Sequence, residues 1–126
     1  MLTRTVFTCV LLTSSLGAQV KPLEESGFRQ IFSGTSLAGW DCDSAFWRVE
    51  GGAIVGETTK THQPPYNIFC IWKGGSLADF ELKLQYRLTG ADGNSGVQYR
   101  SVELPKQGQR ILKGYQADID GHQDYT

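Results

Sequence analysis

The sequence lacks the features that several large classes of protein require. Its 12 basic and 13 acidic side chains leave no excess of positive charge for binding nucleic acid. Its longest apolar run falls well short of the roughly 20 residues that cross a bilayer. With 40% hydrophobic and 11% aromatic residues, the 126-residue chain is neither disordered nor fibrous in composition. One ordinary soluble domain is the class that remains.

The N-terminal segment follows a different pattern from the rest of the chain. A short basic start containing Arg4 precedes an apolar run at residues 6–12, and residues 14–18 are small and polar apart from Leu16. This order is typical of a secretory signal spanning residues 1–18, with cleavage after Gly17 or Ala18. The alternative, a membrane span, is disfavoured by the short apolar run. No cysteine is placed for lipid attachment at the cleavage site, so we expect a secreted or periplasmic protein that leaves the membrane after signal removal.

Cysteine is scarce, with three residues in the whole chain. Cys9 lies in the predicted signal, which leaves Cys42 and Cys70 as the mature pair. An oxidising compartment allows a disulfide between them; the alternative is two small buried hydrophobic side chains. Two thiols without a close histidine make a poor zinc site.

Strand patterns occupy most of the mature chain. In "FELKLQYRL", residues 80–88, apolar and polar side chains alternate along the whole run, as in a strand with one buried face. In "FWRVEGGAIVGE", residues 46–57, a Gly-Gly loop predicts a hairpin that pairs Glu50 with Ala53 and Val49 with Ile54.

Further strands are predicted at residues 28–32, 67–72, 96–101 and 114–120. Turn-forming residues separate the candidates, and no helix of convincing length appears. Short strands at regular intervals are typical of an all-β sandwich or barrel. The chain stops directly after the last strand candidate, so we expect a fragment of a longer domain.

Six stretches of the sequence carry a family resemblance through their order and spacing. They resemble the domain once called DUF1080, now described as the 3-keto-disaccharide hydrolase or 3-keto-glucoside lyase and hydratase domain. The resemblance runs over residues 27–126, and it implies the N-terminal portion of a concanavalin-like jelly roll of roughly twice this length. The stretches are "GFRQIFSGTSLAGW", "WRVEGGAIVGE", "IWKGG", "DFELKLQYRL", "GNSGVQYRS" and "GYQADID".

Two of these stretches place polar side chains in rows. Side chains two apart in a strand share one face, so Gln116, Asp118 and Asp120 of "GYQADID" form one row, and Gln98 and Arg100 of "SGVQYRS" form another. In a jelly roll the concave sheet commonly forms a carbohydrate groove. The resemblance therefore implies that these residues project into a sugar site.

The resemblance also implies a reaction, the cleavage of 3-keto-glucosides by base-promoted elimination across C2 and C1 followed by hydration. This chemistry needs a base, an acid for the leaving oxygen and a donor for the enolate oxygen. Asp118 and Asp120 are the candidate base and acid, and Glu57 is a second candidate for either role. No cofactor is required, but two aspartates on one face leave a divalent metal open. The remaining candidates are Arg100 or Lys73 for the enolate oxygen, and Gln98, Gln116 and Asn94 for the sugar hydroxyls.

The same residues also allow simpler interpretations. The alternating polar residues can be a merely solvated strand face, and Arg100 can form a structural ion pair with Asp118 or Asp120. Trp72 can be a core residue or a sugar platform, and neither His62 nor His122 is expected to bind a metal.

The sequence is also compatible with functions other than elimination. Ordinary glycoside hydrolysis likewise uses paired carboxylates. A non-catalytic carbohydrate-binding jelly-roll module and an inactive fragment are two further hypotheses. The expected partner is a small-molecule sugar, and the oligomeric state is open.

Overall fold

The computed structural model describes residues 27–89 and 93–121, and these residues form strands and no helix. The strands pair as three antiparallel two-stranded sheets, β1–β4, β2–β3 and β5–β6. The prediction of an all-β fold is therefore confirmed. The strands are β1 (Trp40–Asp41), β2 (Trp47–Glu50), β3 (Ala53–Gly56), β4 (Ile71–Trp72), β5 (Asn94–Glu103) and β6 (Leu112–Asp120).

Two predictions made from the sequence lie outside the described residues: the signal at 1–18 and the loop position of His122. The described ranges contain no apolar helix of the length that a bilayer crossing requires.

The β2–β3 hairpin has the register predicted from the sequence. Glu50 pairs with Ala53 and Val49 with Ile54. Gly51 and Gly52 adopt φ angles of 58° and 81° in the connecting loop. Such left-handed angles suit residues without a Cβ, so the Gly-Gly pair fixes both the turn and the register.

The β1–β4 sheet is short and is reinforced by a covalent bond. Cys42 and Cys70 form a disulfide with their Cα atoms 4.2 Å apart. Lys73 N donates to Gly39 O at 2.8 Å and extends the pairing beyond the two-residue strands. A ladder of two residues in each strand is marginally stable on its own. The disulfide adds a covalent link that holds the two segments together. Of the two hypotheses for the cysteine pair, the disulfide is confirmed.

The β5–β6 hairpin is the longest sheet and contains the two strands predicted at 96–101 and 114–120. Its register runs from Asn94 opposite Asp120 to Glu103 opposite Leu112. A register shift between Tyr99 and Val102 interrupts the ladder. The hairpin is therefore regular at its open end and irregular in the middle of β5.

The largest difference from the predicted strands is at residues 80–88, which join no strand ladder. Phe80, Leu82, Leu84 and Tyr86 are 45%, 41%, 45% and 67% exposed. Alternation in a sequence shows that a segment can bury one face, but a strand also needs a neighbour to pair with. No such neighbour is present in the described part of the chain.

Two other predicted strands also differ. Residues 28–32 form no strand, and of residues 67–72 only Ile71–Trp72 do so. None of the described side chains is fully buried. Tyr99 and Tyr115 stack on the apolar face of β5–β6 with ring centroids 5.9 Å apart, but they remain 38% and 66% exposed. The apolar face of this hairpin is therefore not buried among the described residues.

Candidate functional site

The register of β5 and β6 brings most of the predicted site residues onto one face. Gln98 lies opposite Gln116, and Asn94 lies opposite Asp120. Asp118, between them on β6, lies opposite a glycine. Directly opposed residues share a face, with Cβ atoms about 4.5–5.5 Å apart. We call Asn94, Gln98, Gln116, Asp118 and Asp120 the polar face.

A hydrogen bond fixes the centre of the polar face. Gln116 Nε2 donates to Asp118 Oδ1 at 2.7 Å. Gly96 makes room for this amide, because a Cβ at that position would lie 2.6 Å from Gln116 Nε2 and 2.8 Å from Ala117 O. Reasoning from sequence missed Gly96; the available signal was that it is the one residue without a side chain in the row that also contains Asn94 and Gln98.

The carboxylate of Asp118 keeps most of its capacity to accept hydrogen bonds. A carboxylate offers about four lone-pair sites, and the amide of Gln116 occupies one of them. Within residues 27–89 and 93–121, no Lys, Arg or His nitrogen lies within 4.0 Å of its oxygens. The Asp118 side chain is also exposed. A ligand can therefore reach a carboxylate that is oriented by an amide and is not paired with a described cation.

Arg100 lies at the irregular position of β5 rather than in the regular row. Its φ is 48°, within the register shift that follows Tyr99. Its Nη2 atom lies 3.6 Å from Asp79 Oδ1, in a pair whose side chains are 57% and 101% exposed. One interpretation of the sequence paired Arg100 with an aspartate of β6. Arg100 forms no ion pair with Asp118; its loose ion pair is with Asp79. Strand parity cannot anticipate this, since it assumes a regular ladder.

Lys73 is placed at the other end of the hairpin. Its Nζ lies 2.5 Å from Glu103 Oε1. This hydrogen bond raises the pKa of Lys73, and the negative charge of Asp41 adds to the effect. Glu103 is seven residues along β5 from Gly96, a distance of roughly 24 Å at strand spacing. The structure therefore does not bring Lys73 to the aspartates of the polar face.

Glu57 follows the β2–β3 hairpin and belongs to a separate group of charges. Arg48 Nη1 donates to Glu57 Oε2 at 2.7 Å, and Arg48 Nε donates to Glu50 Oε2 at 2.8 Å. The hydrogen bond that Arg48 donates to Glu50, followed by the one that it donates to Glu57, raises the pKa of Arg48. No Cα atom of β2 or β3 lies within 8 Å of one in β5 or β6.

A second charged group lies beside the turn that joins β5 to β6. Arg110 Nε donates to Asp41 Oδ1 at 2.7 Å, and these side chains are 23% and 39% exposed. They border an open cavity of about 300 Å³ that Glu103 also lines. With Lys73 bound to Glu103, each carboxylate here has a cation. We call Asp41, Lys73, Glu103 and Arg110 the turn-end cluster.

Trp72 and His62 have structural contacts. The half-buried Trp72 ring is covered by the guanidinium of Arg29, 5.4 Å from its centroid. His62 Nε2 lies 3.0 Å from Ala45 O, and its ring stacks on Phe46 at 4.5 Å. Among the residues that the structure describes, no group of three or more His, Cys, Asp or Glu side chains is arranged to hold a metal ion.

Comparison with known proteins identifies a family. The model of the 3-keto-alpha-glucoside-1,2-lyase-like domain family matches residues 27–126. No curated protein and no solved structure shows a significant match to the chain. The matched range contains the polar face and the turn-end cluster, and it confirms the family suggested by the six sequence stretches.

Proposed function

Since the chain belongs to the 3-keto-alpha-glucoside-1,2-lyase-like domain family, we propose that its polar face binds and cleaves a 3-keto-glucoside. The observation that supports this most directly is the hydrogen bond from Gln116 to Asp118, for which Gly96 on the neighbouring strand leaves room. It presents an oriented carboxylate without an adjacent cation, in a row of amides and a second carboxylate. Such a row matches a sugar, whose hydroxyls both donate and accept hydrogen bonds.

The proposed reaction starts at C2 of the sugar. The ketone at C3 acidifies the C2 hydrogen, because the electron pair left by proton removal is delocalised as an enolate. When the enolate collapses, a C1–C2 double bond forms, the bond from C1 to the aglycone oxygen breaks, and an acid protonates that oxygen. Addition of water across the double bond, with hydroxyl at C1 and a proton at C2, then gives the free 3-keto sugar. The net reaction is hydrolysis.

Asp118 is the proposed base. The amide of Gln116 holds its Oδ1 atom, which leaves Oδ2 to accept the C2 proton at short range. Asp120, two residues along the same face, is the proposed acid; at strand spacing the two side chains start about 6.5–7 Å apart. That separation allows one carboxylate to act at C2 and the other at the oxygen on C1.

The other residues of the face have binding roles in this proposal. Asn94 and Gln98 on β5 orient sugar hydroxyls. Arg100, which lies outside the face at the register shift two residues beyond Gln98, supplies a donor for the enolate oxygen. The pair of Arg100 with Asp79 spans 3.6 Å between exposed side chains, and such pairs contribute little, so the guanidinium is able to turn to a substrate. Lys73 and Glu57 take no part in the mechanism.

We also propose that the protein acts outside the cytoplasm, secreted or periplasmic, after removal of residues 1–18. The disulfide between Cys42 and Cys70 supports this location, because disulfides persist mainly in oxidising compartments.

The test compares two substrates that differ in oxidation at C3. The purified protein is incubated with a 3-keto-glucoside and, separately, with the unoxidised parent glucoside, while aglycone release and enone absorbance are followed. We expect release from the keto sugar alone. Equal release from both would overturn the elimination mechanism in favour of ordinary glycoside hydrolysis. Saturable binding of the keto sugar without release would show a non-catalytic carbohydrate-binding module instead.

A further inference from the structure

The groups proposed to act on the sugar follow one order along the β5–β6 hairpin. Asp120 lies opposite Asn94 at the open end, and Asp118 lies opposite Gly96, one step of the polar face closer to the turn. Arg100 follows on β5, at the register shift beyond the regular ladder. From the turn towards the open end, the order is therefore the donor for the enolate oxygen, then the base, then the acid.

The reacting positions of the sugar have a matching order. The ketone oxygen is on C3, the proton is removed from C2, and the leaving oxygen is on C1, so these positions follow one another along one side of the ring. A group that transfers a proton acts at hydrogen-bond range. The ring therefore lies with C3 towards the turn and C1 towards the open end. The reverse direction would place the proposed acid, Asp120, beside the ketone and Arg100 beside the leaving oxygen.

The two ends of the polar face differ as this direction requires. Gln98, on the turn side, is half-buried, whereas Asn94, at the open end, is exposed. Beyond Asn94 the backbone pairing continues once more, because Gly121 N donates to Gly93 O at 2.7 Å, and neither glycine carries a side chain. The keto sugar is a single ring of fixed size, whereas a leaving group extends away from C1. The open end of the described hairpin has room for that extension.

We infer that Asn94 belongs to the subsite for the leaving group and Gln98 to the subsite for the keto sugar; this inference rests on the proposed function. Directly opposed residues have Cβ atoms about 4.5–5.5 Å apart, so the Asn94 amide lies beside the oxygen that Asp120 protonates when the bond to C1 breaks. An amide both donates and accepts hydrogen bonds. Asn94 therefore favours a leaving group that bears hydroxyls next to the broken bond, and it is a specificity-determining residue for the reaction.

The test compares two 3-keto-glucosides that differ in the leaving group, which is glucose in one and methanol in the other. kcat/KM for release is measured on both substrates with the wild type, Asn94→Ala and Gln98→Ala. We expect the wild type to prefer the glucose leaving group. Asn94→Ala should lower kcat/KM about tenfold more for release of glucose than for release of methanol, the effect of losing about one hydrogen bond. Gln98→Ala should lower both values by the same factor.

The readout is the ratio of the two kcat/KM values, since a variant that is merely less stable loses activity on both substrates alike. Asn94→Ser, which keeps a hydroxyl that donates and accepts, should change the ratio less than Asn94→Ala. A ratio that changes more in Gln98→Ala than in Asn94→Ala overturns the direction of binding, and so does a ratio that neither variant changes. In those cases the wild type still cleaves keto sugars, so the proposed function stands. A folded wild type that releases neither leaving group overturns the proposed function and this inference together.

Discussion

The carboxylates at the two ends of the β5–β6 hairpin have different kinds of partner. At the turn end, Asp41 is held by Arg110 and Glu103 by Lys73, at 2.7 and 2.5 Å. At the open end, the partner of the Asp118 carboxylate is a neutral amide. A carboxylate bound to a cation holds segments together, whereas one oriented by an amide keeps its charge for a ligand. Ion pairs therefore stabilise the turn end, and the polar face is where we propose that the chemistry takes place.

The disulfide, like the ion pairs, lies near the turn end of the hairpin. The disulfide joins Cys42, the neighbour of Asp41, to Cys70, and Phe69 N donates to Arg110 O at 3.2 Å. The disulfide holds β1 to β4, and the hydrogen bond from Phe69 to Arg110 ties this sheet to the turn end of the hairpin. A rigid end of this kind supports the strands that position the polar face at the other end.

The largest expected effect is the loss of turnover on removing the charge of Asp118. Asp118→Asn keeps the size of the side chain and its capacity to accept a hydrogen bond from Gln116, but it removes the proposed base. We expect the rate of release from the 3-keto-glucoside to fall by about 10²–10⁴-fold. Glu103→Gln, the matched change at the turn end, should lower it by less than about twofold. Equal losses in the two variants would abolish the distinction between the ends.

The next effect is on stability and concerns the disulfide. Replacing both Cys42 and Cys70 by serine should lower the free energy of unfolding by about 3–4 kcal/mol for a loop of this length, with a sequence separation of 28 residues. Urea denaturation measures the change, and a reductant acting on the wild type should reproduce it. Cys9→Ser is the control and should have no effect, because Cys9 lies in the predicted signal. An unchanged urea midpoint in the double variant would contradict the structural role.

Two glycines of the β5–β6 hairpin allow an effect on activity to be separated from an effect on stability. A Cβ at Gly96 would lie 2.6 Å from Gln116 Nε2, and one at Gly114 would lie 2.9 Å from Tyr99 O. Both alanine variants should lose about 1–3 kcal/mol of stability from overpacking. Gly96→Ala also displaces Gln116, so we expect about a tenfold loss of turnover in the folded protein, whereas Gly114→Ala keeps turnover. If both variants lost turnover to the same extent, the loss in Gly96→Ala would reflect destabilisation of the hairpin rather than displacement of Gln116.

The regular parts of the structure could be predicted from sequence. Gly51-Gly52 fixed the register of β2–β3 because both residues adopt positive φ, and strand parity placed Asp118 and Asp120 on one face because β6 is regular. Parity did not place Arg100, since its φ of 48° lies at a register shift. Turn residues and strand parity therefore predict the positions of side chains only where the strand ladder is regular.

Long-range partners could not be predicted in this way. Arg110 binds Asp41 from 69 residues away, and Glu103 binds Lys73 from 30 residues away. Nothing in the local pattern at either residue identifies its partner. The same limit applies to residues 80–88, whose alternation shows a face to be covered but not what pairs with the segment.

The smallest expected effect is a pH dependence confined to the turn end. The hydrogen bond to Glu103, with the charge of Asp41, raises the pKa of Lys73 above its ordinary 10.5. A raised pKa means that the ion pair stabilises the folded state fully below pH 10.5, and that this contribution is lost as the pH rises through the folded-state value. Lys73→Gln should therefore lower Tm slightly at neutral pH and converge with the wild type in strong alkali. Salt should shrink the neutral-pH difference, since the pair is exposed. A difference that stays constant into strong alkali would show that Lys73 contributes through packing rather than charge, and the contrast between the two ends would then rest on Arg110 and Asp41.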